Sequence, residues 1–282
     1  MRIAYFPKQV ALNGTPVLSA FLSGCNRHGL VPVENAMDAD VAVIWSVLWH
    51  GRMADNHAVW QHYQQRGRPV IVIDVGTLHR GATWKIAVKS ITADGHYGHQ
   101  QNLDPDRPQK LDIRLRSVKS RNPKIVIAAQ HGHSLQTVAL PSIEQWIVDQ
   151  IQQLRSVTDR PIAVRPHPRY RINPSLLNLT KNEQIERPQH LANTYDSYDL
   201  EFDCHALVNY NSGPGIQAAL AGTRPIVDSS SLAWPVSTNI ENIERPYDID
   251  RQQWLIQICH TEYTVEEIAQ GSWYARLEPA LK

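Results

Sequence analysis

The order of apolar runs constrains this chain most. Short runs rich in Val, Ile and Ala alternate with stretches of helical period, and the alternation occurs twice. In the first series Arg2–Phe6 reads as a strand and Thr15–His28 as a helix, with Thr15 as N-cap, Pro16 in the first turn and Gly29 as the stop. Val41–Trp45 is a second strand, Asn56–Arg66 a helix ended by Gly67, and Val70–Asp74 a strand of the fully buried kind. Residues 76–104, rich in Gly, His and aromatics, read as an irregular functional loop. The second series holds strands at Lys124–Ala129, Pro161–Arg165, 181–187, Ala206–Tyr210 and Pro225–Asp228. Helices are expected at Ser142–Ser156, Thr194–Asp203 and Ile216–Ala221, and a helical tail from Arg251 to Leu281.

Repeated β-α-β alternation implies an α/β protein with two open, mostly parallel sheets. Pro105, Pro108 and Pro123 interrupt the pattern, so the boundary is placed there. The expected domains are 1–115 and 116–282, the tail included in the second. Such sheets bind ligands beyond the C-terminal ends of their strands. Two Rossmann-like domains facing across a cleft would line it with Asp74, His131–Ser134, Arg165–His167 and Asn211–Gly215, each directly after a strand-like run.

Those four sets are the candidate chemistry. Asn211-Ser212-Gly213-Pro214-Gly215 opens a helix and offers backbone N–H groups to an anion such as a phosphate or diphosphate. In Arg165-Pro166-His167-Pro168-Arg169 the prolines remove two N–H donors, so side chains do the binding. A guanidinium at Arg165 suits a pair of phosphate oxygens, and His167 can donate to a leaving phosphate. The competing readings are a rigid surface corner and a plain tight turn. Gln130-His131-Gly132-His133-Ser134 invites a metal, yet no Asp, Glu or Cys set accompanies it at ligand spacing. A turn contacting a donor nucleotide, or an inert polar loop, are the other readings, and no metal site is expected. Asp74 is a candidate general base, with Asp94, His50 and His96 as rivals. Trp84 and Tyr97 would stack on a base or sugar, or pack in the core. Neither an ATP-binding Gly-x-x-x-x-Gly-Lys loop nor a Gly-x-Gly-x-x-Gly turn is present.

Bulk properties exclude little. The 282 residues carry a net charge of +1, which makes no global case for nucleic acid. Three scattered cysteines read as reduced thiols of a cytoplasmic protein, and no apolar run approaches the roughly 20 residues that span a bilayer. Charge is uneven, however. Arg107, Lys110, Arg114, Arg116, Lys119, Arg121 and Lys124 face a single Asp112. This strip is either a solvated inter-domain segment or a contact surface for a polyanion.

Arg165-Pro166-His167-Pro168-Arg169, taken with Asn211-Ser212-Gly213 and Gln217-Ala218-Ala219-Leu220-Ala221-Gly222-Thr223-Arg224-Pro225, resembles the C-terminal half of GT-B glycosyltransferases. The capsule polysaccharide, Kdo and sialic-acid transferases with a His-Pro motif are the nearest in pattern. Asp74-Val75-Gly76-Thr77-Leu78-His79-Arg80, with Thr83-Trp84-Lys85, looks more like phage glycosyltransferases that decorate hydroxymethylated pyrimidines in DNA. The chain departs from the His-Pro enzymes in having Val75 where they place an acidic residue before Gly, and Gln217 near a position many GT-B enzymes fill with Glu.

The resemblance implies metal-independent, inverting transfer from a nucleotide sugar, a UDP-sugar being expected, with no resident cofactor. It gives Asp74 and His167 catalytic roles. It gives donor binding to His131, His133, Ser134, Arg165, Asn211, Ser212, Gly213 and Gln217. Arg80, Trp84, Lys85, Arg114, Arg116 and Lys119 become the acceptor side, where double-stranded DNA carrying 5-hydroxymethylcytosine is the expected partner, in a host cytoplasm. The alternatives are a capsule- or glycan-directed transferase, and a nucleotide-sugar-binding protein without catalysis.

Overall fold

The computed structural model describes residues 1–98, 102–118, 122–191, 198–200 and 202–282. In chain order the strands are β1 (Arg2–Tyr5), β2 (Val31–Glu34), β3 (Val41–Trp45), β4 (Val70–Val75), β5 (Thr83–Val88), β6 (Ile125–Ala128), β7 (Ile162–Arg165), β8 (Glu183–Ile185), β9 (Ala206–Asn209), β10 (Arg224–Val227) and β11 (Glu262–Thr264). The α-helices are α1 (Thr15–Arg27), α2 (Asn56–Gln65), α3 (Arg107–Lys110), α4 (Ile143–Arg155), α5 (Gly213–Ala221), α6 (Gln252–Cys259), α7 (Val265–Gln270) and α8 (Tyr274–Leu277). The chain forms an α/β protein of two compact units, Met1–Arg107 with Ile256–Lys282, and Pro108–Leu255.

The first unit is built on a six-stranded sheet in the order β11-β5-β4-β3-β1-β2. β2, β1, β3 and β4 run parallel, while β5 pairs antiparallel with β4 and β11 antiparallel with β5. Three elements here differ from the sequence reading, the first being the strand Val31–Glu34, which had no counterpart in it. Residues 83–88 are a buried strand inside the stretch read as loop, and the tail read as helical is split by β11. That strand returns the chain's end to the first sheet, so Ile256–Lys282 belongs with the first unit and not with the second. The cause is visible in the packing. Ile268, Trp273, Leu277 and Leu281 join Ile3, Phe21, Ile71 and Ile86 in one core, and Phe21 stacks on Trp273 at 4.4 Å. α7 presses so closely on α1 that a Cβ on Gly24 would strike the Ile268 carbonyl oxygen. A capping box starts α7, with Thr264 accepting from the Glu267 N–H and Glu267 from the Thr264 N–H.

The second unit holds a five-stranded parallel sheet in the order β10-β9-β6-β7-β8. Ile127, Ile147, Leu154, Ile162, Val164 and Val208 form the core on the α4 face, and Val126, Ala163, Leu207 and Ala218 pack on the other. α4 begins where Ser142 accepts from the Gln145 N–H at 3.0 Å, and its first and last turns hold Glu144 and Arg155, as the helix dipole favours. Half of the helix expected at Thr194–Asp203 falls outside the described residues, and its described residues, 198–200, 202 and 203, are not helical. Strand order reverses between β6 and β9, so the loops after β6, β7, β9 and β10 surround a switch point of the sheet.

Candidate functional site

In the second unit, three of the loops singled out in the sequence meet at the C-terminal strand ends. Gln130, directly after β6, pairs its amide with Asn211 after β9. The Asn211 N–H donates to Gln130 Oε1 at 2.6 Å, and Gln130 Nε2 donates to Asn211 Oδ1 at 3.0 Å. Both residues are buried, so each bond also avoids leaving a polar group unsatisfied. Asn211 Nδ2 donates to Ser230 Oγ at 2.8 Å, and Ser230 to Asp228 at 2.6 Å, which ties in the loop after β10. On the other flank His131 meets His167 edge-on, ring centroids 5.2 Å apart, and Tyr170 lies 5.2 Å from His131 and 5.8 Å from His133.

The hydrogen bonds set the histidine tautomers. His131 Nδ1 accepts from the His133 N–H at 3.2 Å, and His167 Nδ1 accepts from the Arg169 N–H at 3.1 Å. An accepting Nδ1 leaves the ring proton on Nε2, so each imidazole carries its N–H donor on the far nitrogen. Ser212 stands at the N-cap of α5, but its hydroxyl bonds the Asn209 side chain and does not cap the helix. The Ser212 N–H is likewise taken by Asn209 Oδ1 at 2.9 Å, and Asn209 Nδ2 anchors the turn to the Ala128 carbonyl at 2.8 Å. The nine-residue α5 thus starts without a side-chain cap, a geometry that favours an anion.

Other residues have local tasks. Ser134 caps the short turn Leu135–Thr137 by accepting from the Gln136 N–H at 3.2 Å. Arg165 turns to Asp199, with an ion pair of 2.7 Å, and its guanidinium lies 5.0 Å from the Phe202 ring. Its charge is therefore matched inside the unit. Gln217 lies half-buried on α5. Asn209, Tyr170 and Ser230 had no place among the sequence-derived site residues, and Gln130 stood there only as the first residue of the His-x-His turn. Their signal was weak, since a buried amide pair has no fixed spacing.

In the first unit Asp74 sits at the end of β4, partly buried. Its carboxylate accepts from the Ser46 hydroxyl at 2.9 Å and from the Val75 N–H at 2.6 Å. Ser46 follows β3 with φ +63°, a left-handed backbone uncommon outside glycine, and its Oγ also accepts from the Leu48 N–H at 3.2 Å. Burial raises the Asp74 carboxyl above the ordinary range, while Val75, Ser46, Lys85 and Arg80 pull it partly back. A carboxylate of raised basicity at a strand end is suited to proton abstraction.

The loop leaving Asp74 is clamped from below. Glu262 on β11 accepts from the Thr77 N–H at 2.6 Å, the Leu78 N–H at 3.0 Å, the Thr83 hydroxyl at 2.6 Å and Lys85 Nζ at 2.9 Å. Lys85 Nζ also bonds the Thr77 hydroxyl. Burial pushes the Glu262 carboxyl up, but Lys85 and these donors hold it below its ordinary value. Gly76 has no room for a side chain, because a Cβ would lie 2.5 Å from a Glu262 oxygen and against the Thr83 carbonyl.

This packing corrects the expected DNA surface. Trp84 is 4% exposed, in the core beside Trp45, and Lys85 is 5% exposed and paired with Glu262, so neither is at an acceptor surface. Tyr97 is buried as well. The basic strip is also broken up. Arg107 is buried against Glu267 and the Cys259 and Glu262 carbonyls, and Lys124 pairs with Glu186 at 2.9 Å. Arg80, Arg114 and Arg116 are exposed, Arg114 beside Asp112. Lys119 and Arg121 lie outside the described residues. Of the rivals to Asp74, Asp94 and His50 are exposed, and His96 pairs through its backbone with Val88.

Among the described residues no group of three or more His, Cys, Asp or Glu is arranged to hold a metal ion, and no helix is long and apolar enough to cross a membrane. The sequence matches no protein-family model and no curated protein. Its fold is similar to solved structures. A Thermosulfurimonas dismutans KpsC, described as a beta Kdo 2,4 transferase, aligns with a TM-score of 0.55 at 11% identity, over 95% of this chain and 98% of that one. A second KpsC structure from the same organism, a beta Kdo 2,7 transferase, aligns with a TM-score of 0.52 at 11% identity, over 98% and 99%. The two-domain α/β fold expected from the sequence is thus shared with KpsC transferases. Neither neighbour acts on DNA by its description.

Proposed function

We propose that the chain is a glycosyltransferase that moves a sugar from a nucleotide sugar to a hydroxyl of a glycan. One observation carries this reading: the His-x-His loop, the His-Pro loop and the uncapped start of α5 converge on one set of parallel strand ends. N–H donors and a helix N-terminus there suit a departing phosphate, whose negative charge grows in the transition state. Similarity to two Kdo transferases favours a glycan over DNA as acceptor, and the interior places of Trp84 and Lys85 remove two supports of the DNA reading. A nucleotide-activated Kdo is the donor to test first, ahead of the UDP-sugar expected from the sequence.

The chemistry is a single displacement. The acceptor hydroxyl gives its proton to Asp74 as its oxygen bonds the anomeric carbon. The bond from that carbon to the phosphate oxygen breaks, and the leaving nucleotide receives the electron pair, stabilised by His167 Nε2–H and the first turn of α5. Such a displacement inverts the anomeric centre. The ligand set consists of N–H donors and a helix N-terminus, so transfer should persist without a divalent metal.

Calorimetry with nucleoside mono- and diphosphates tests the anion site. His167→Ala should weaken binding about tenfold or more, the effect of losing one hydrogen bond to a charged group. Arg165→Ala should change it less, because Arg165 is committed to Asp199. Unchanged affinity in His167→Ala would overturn the assignment.

A further inference from the structure

The second unit holds a pocket of about 450 Å³ on the α4 face of its sheet, where Trp146, Gln150 and Gln153 of α4 face Tyr210, Asp228 and residues 238–241. Its volume is in the range of small-ligand sites. The chemistry of its lining differs from that of the anion site. Asn209, Gln150, Gln153 and Asn239 supply amides, Asp228 and Glu241 carboxylates and Thr238 a hydroxyl, and among the described residues no Lys, Arg or His lines it. Two carboxylates without a cation repel phosphate and sugar acids. Amides and carboxylates together match ligands whose hydroxyls both donate and accept. Trp146 and Tyr210 stand edge to face, ring centroids 6.4 Å apart, and add apolar surface for the C–H face of a ring. The Thr238 hydroxyl is buried and finds no partner among the described residues, so the pocket wall carries an unmatched polar group.

We infer that this pocket is a carbohydrate site for a neutral pyranosyl residue, adjoining the nucleotide-phosphate site through Asn209, which lines the pocket and holds the Ser212 turn. As an anchor for an acceptor glycan it rests on the glycan-directed reading; its affinity for neutral sugar does not. Asp228 links the two places, since its carboxylate accepts from Ser230, whose hydroxyl in turn accepts from Asn211. A sugar held here would lie beside the loop that braces the anion site.

The test is saturation-transfer NMR on the full chain with methyl glycosides of glucose, galactose and N-acetylglucosamine, and with methyl glucuronide and glucosamine as charged controls. At least one neutral glycoside should receive saturation, and glucuronide should not. Asn239→Ala and Gln153→Ala, both exposed and remote from the core, should each weaken the neutral ligand about fivefold, the effect of one hydrogen bond. Added nucleoside diphosphate and His167→Ala should leave it unchanged. No saturation of any neutral glycoside, full retention in both pocket variants, displacement by the nucleotide, or preference for glucosamine would each overturn the inference. Loss of nucleotide binding alone would count against the donor site and not against this pocket.

Discussion

Ser46→Ala isolates the group that conditions Asp74. The Ser46 hydroxyl donates to the Asp74 carboxylate at 2.9 Å from a left-handed turn, and the Val75 N–H is the other donor at 2.6 Å. A hydrogen bond to a charged group contributes about 1.5–3 kcal/mol, and one pKa unit corresponds to about 1.4 kcal/mol. Full loss would therefore raise the Asp74 pKa by about 1–2 units. Asp74 is only partly buried, so water replaces some of the bond, and a rise of about 1 unit is expected. The assay is a ¹³C NMR titration of the Asp74 carboxyl in wild type and variant, which needs no knowledge of the substrate. Where turnover is measured, the acid limb of its pH profile should move up by the same amount. An Asp74 pKa that is unchanged or lower in Ser46→Ala would refute the account of how this carboxylate is tuned.

Asp74→Asn tests the same burial through stability. The folded-state pKa is raised, so ionisation costs stability as pH rises through it; Asn should be the more stable variant at pH 7–8, with the advantage vanishing below the unfolded value of about 3.9, by thermal melts across pH. Glu262→Gln leaves Lys85 buried without its charge partner and should cost about 3–5 kcal/mol in urea unfolding. The double variant Lys85→Met with Glu262→Gln should recover part of that loss. Gly76→Ala should destabilise by about 1–3 kcal/mol or more, because the new methyl meets the Thr83 carbonyl and Glu262. Transfer activity should survive EDTA; complete loss would contradict the metal-independent chemistry.

The parallel cores were legible because their strands are continuous apolar runs. Val70–Asp74 read as a buried strand without any context, and Lys124–Ala129 read as a strand that the structure places at Ile125–Ala128. β5 was not legible, since Lys85 interrupts it and its ion-pair partner lies 177 residues away on β11. β11 is three residues long, and its one local sign was the Thr264-x-x-Glu267 capping box that follows it. At the site, strand-end residues with strong chemistry stood out, and the structure gathers His131, His167 and Asn211 on neighbouring loops of one sheet. What no spacing reveals is which charges are already matched. Arg165 reads as a free fork until Asp199 is placed beside it, and Ser46 has no motif at all before its hydroxyl meets Asp74.

The most direct test of nucleotide-sugar-dependent transfer to a glycan is mass spectrometry of products. The full chain would be incubated with nucleotide-activated Kdo and a panel of UDP-sugars, each with Kdo-terminated and neutral oligosaccharides and with hydroxymethylated duplex DNA. The expected product carries the mass of one added sugar on a glycan, and it is lost in Asp74→Asn and His167→Ala. A sugar found on DNA nucleosides would return the DNA reading, and donor binding without product on any acceptor would contradict transfer altogether.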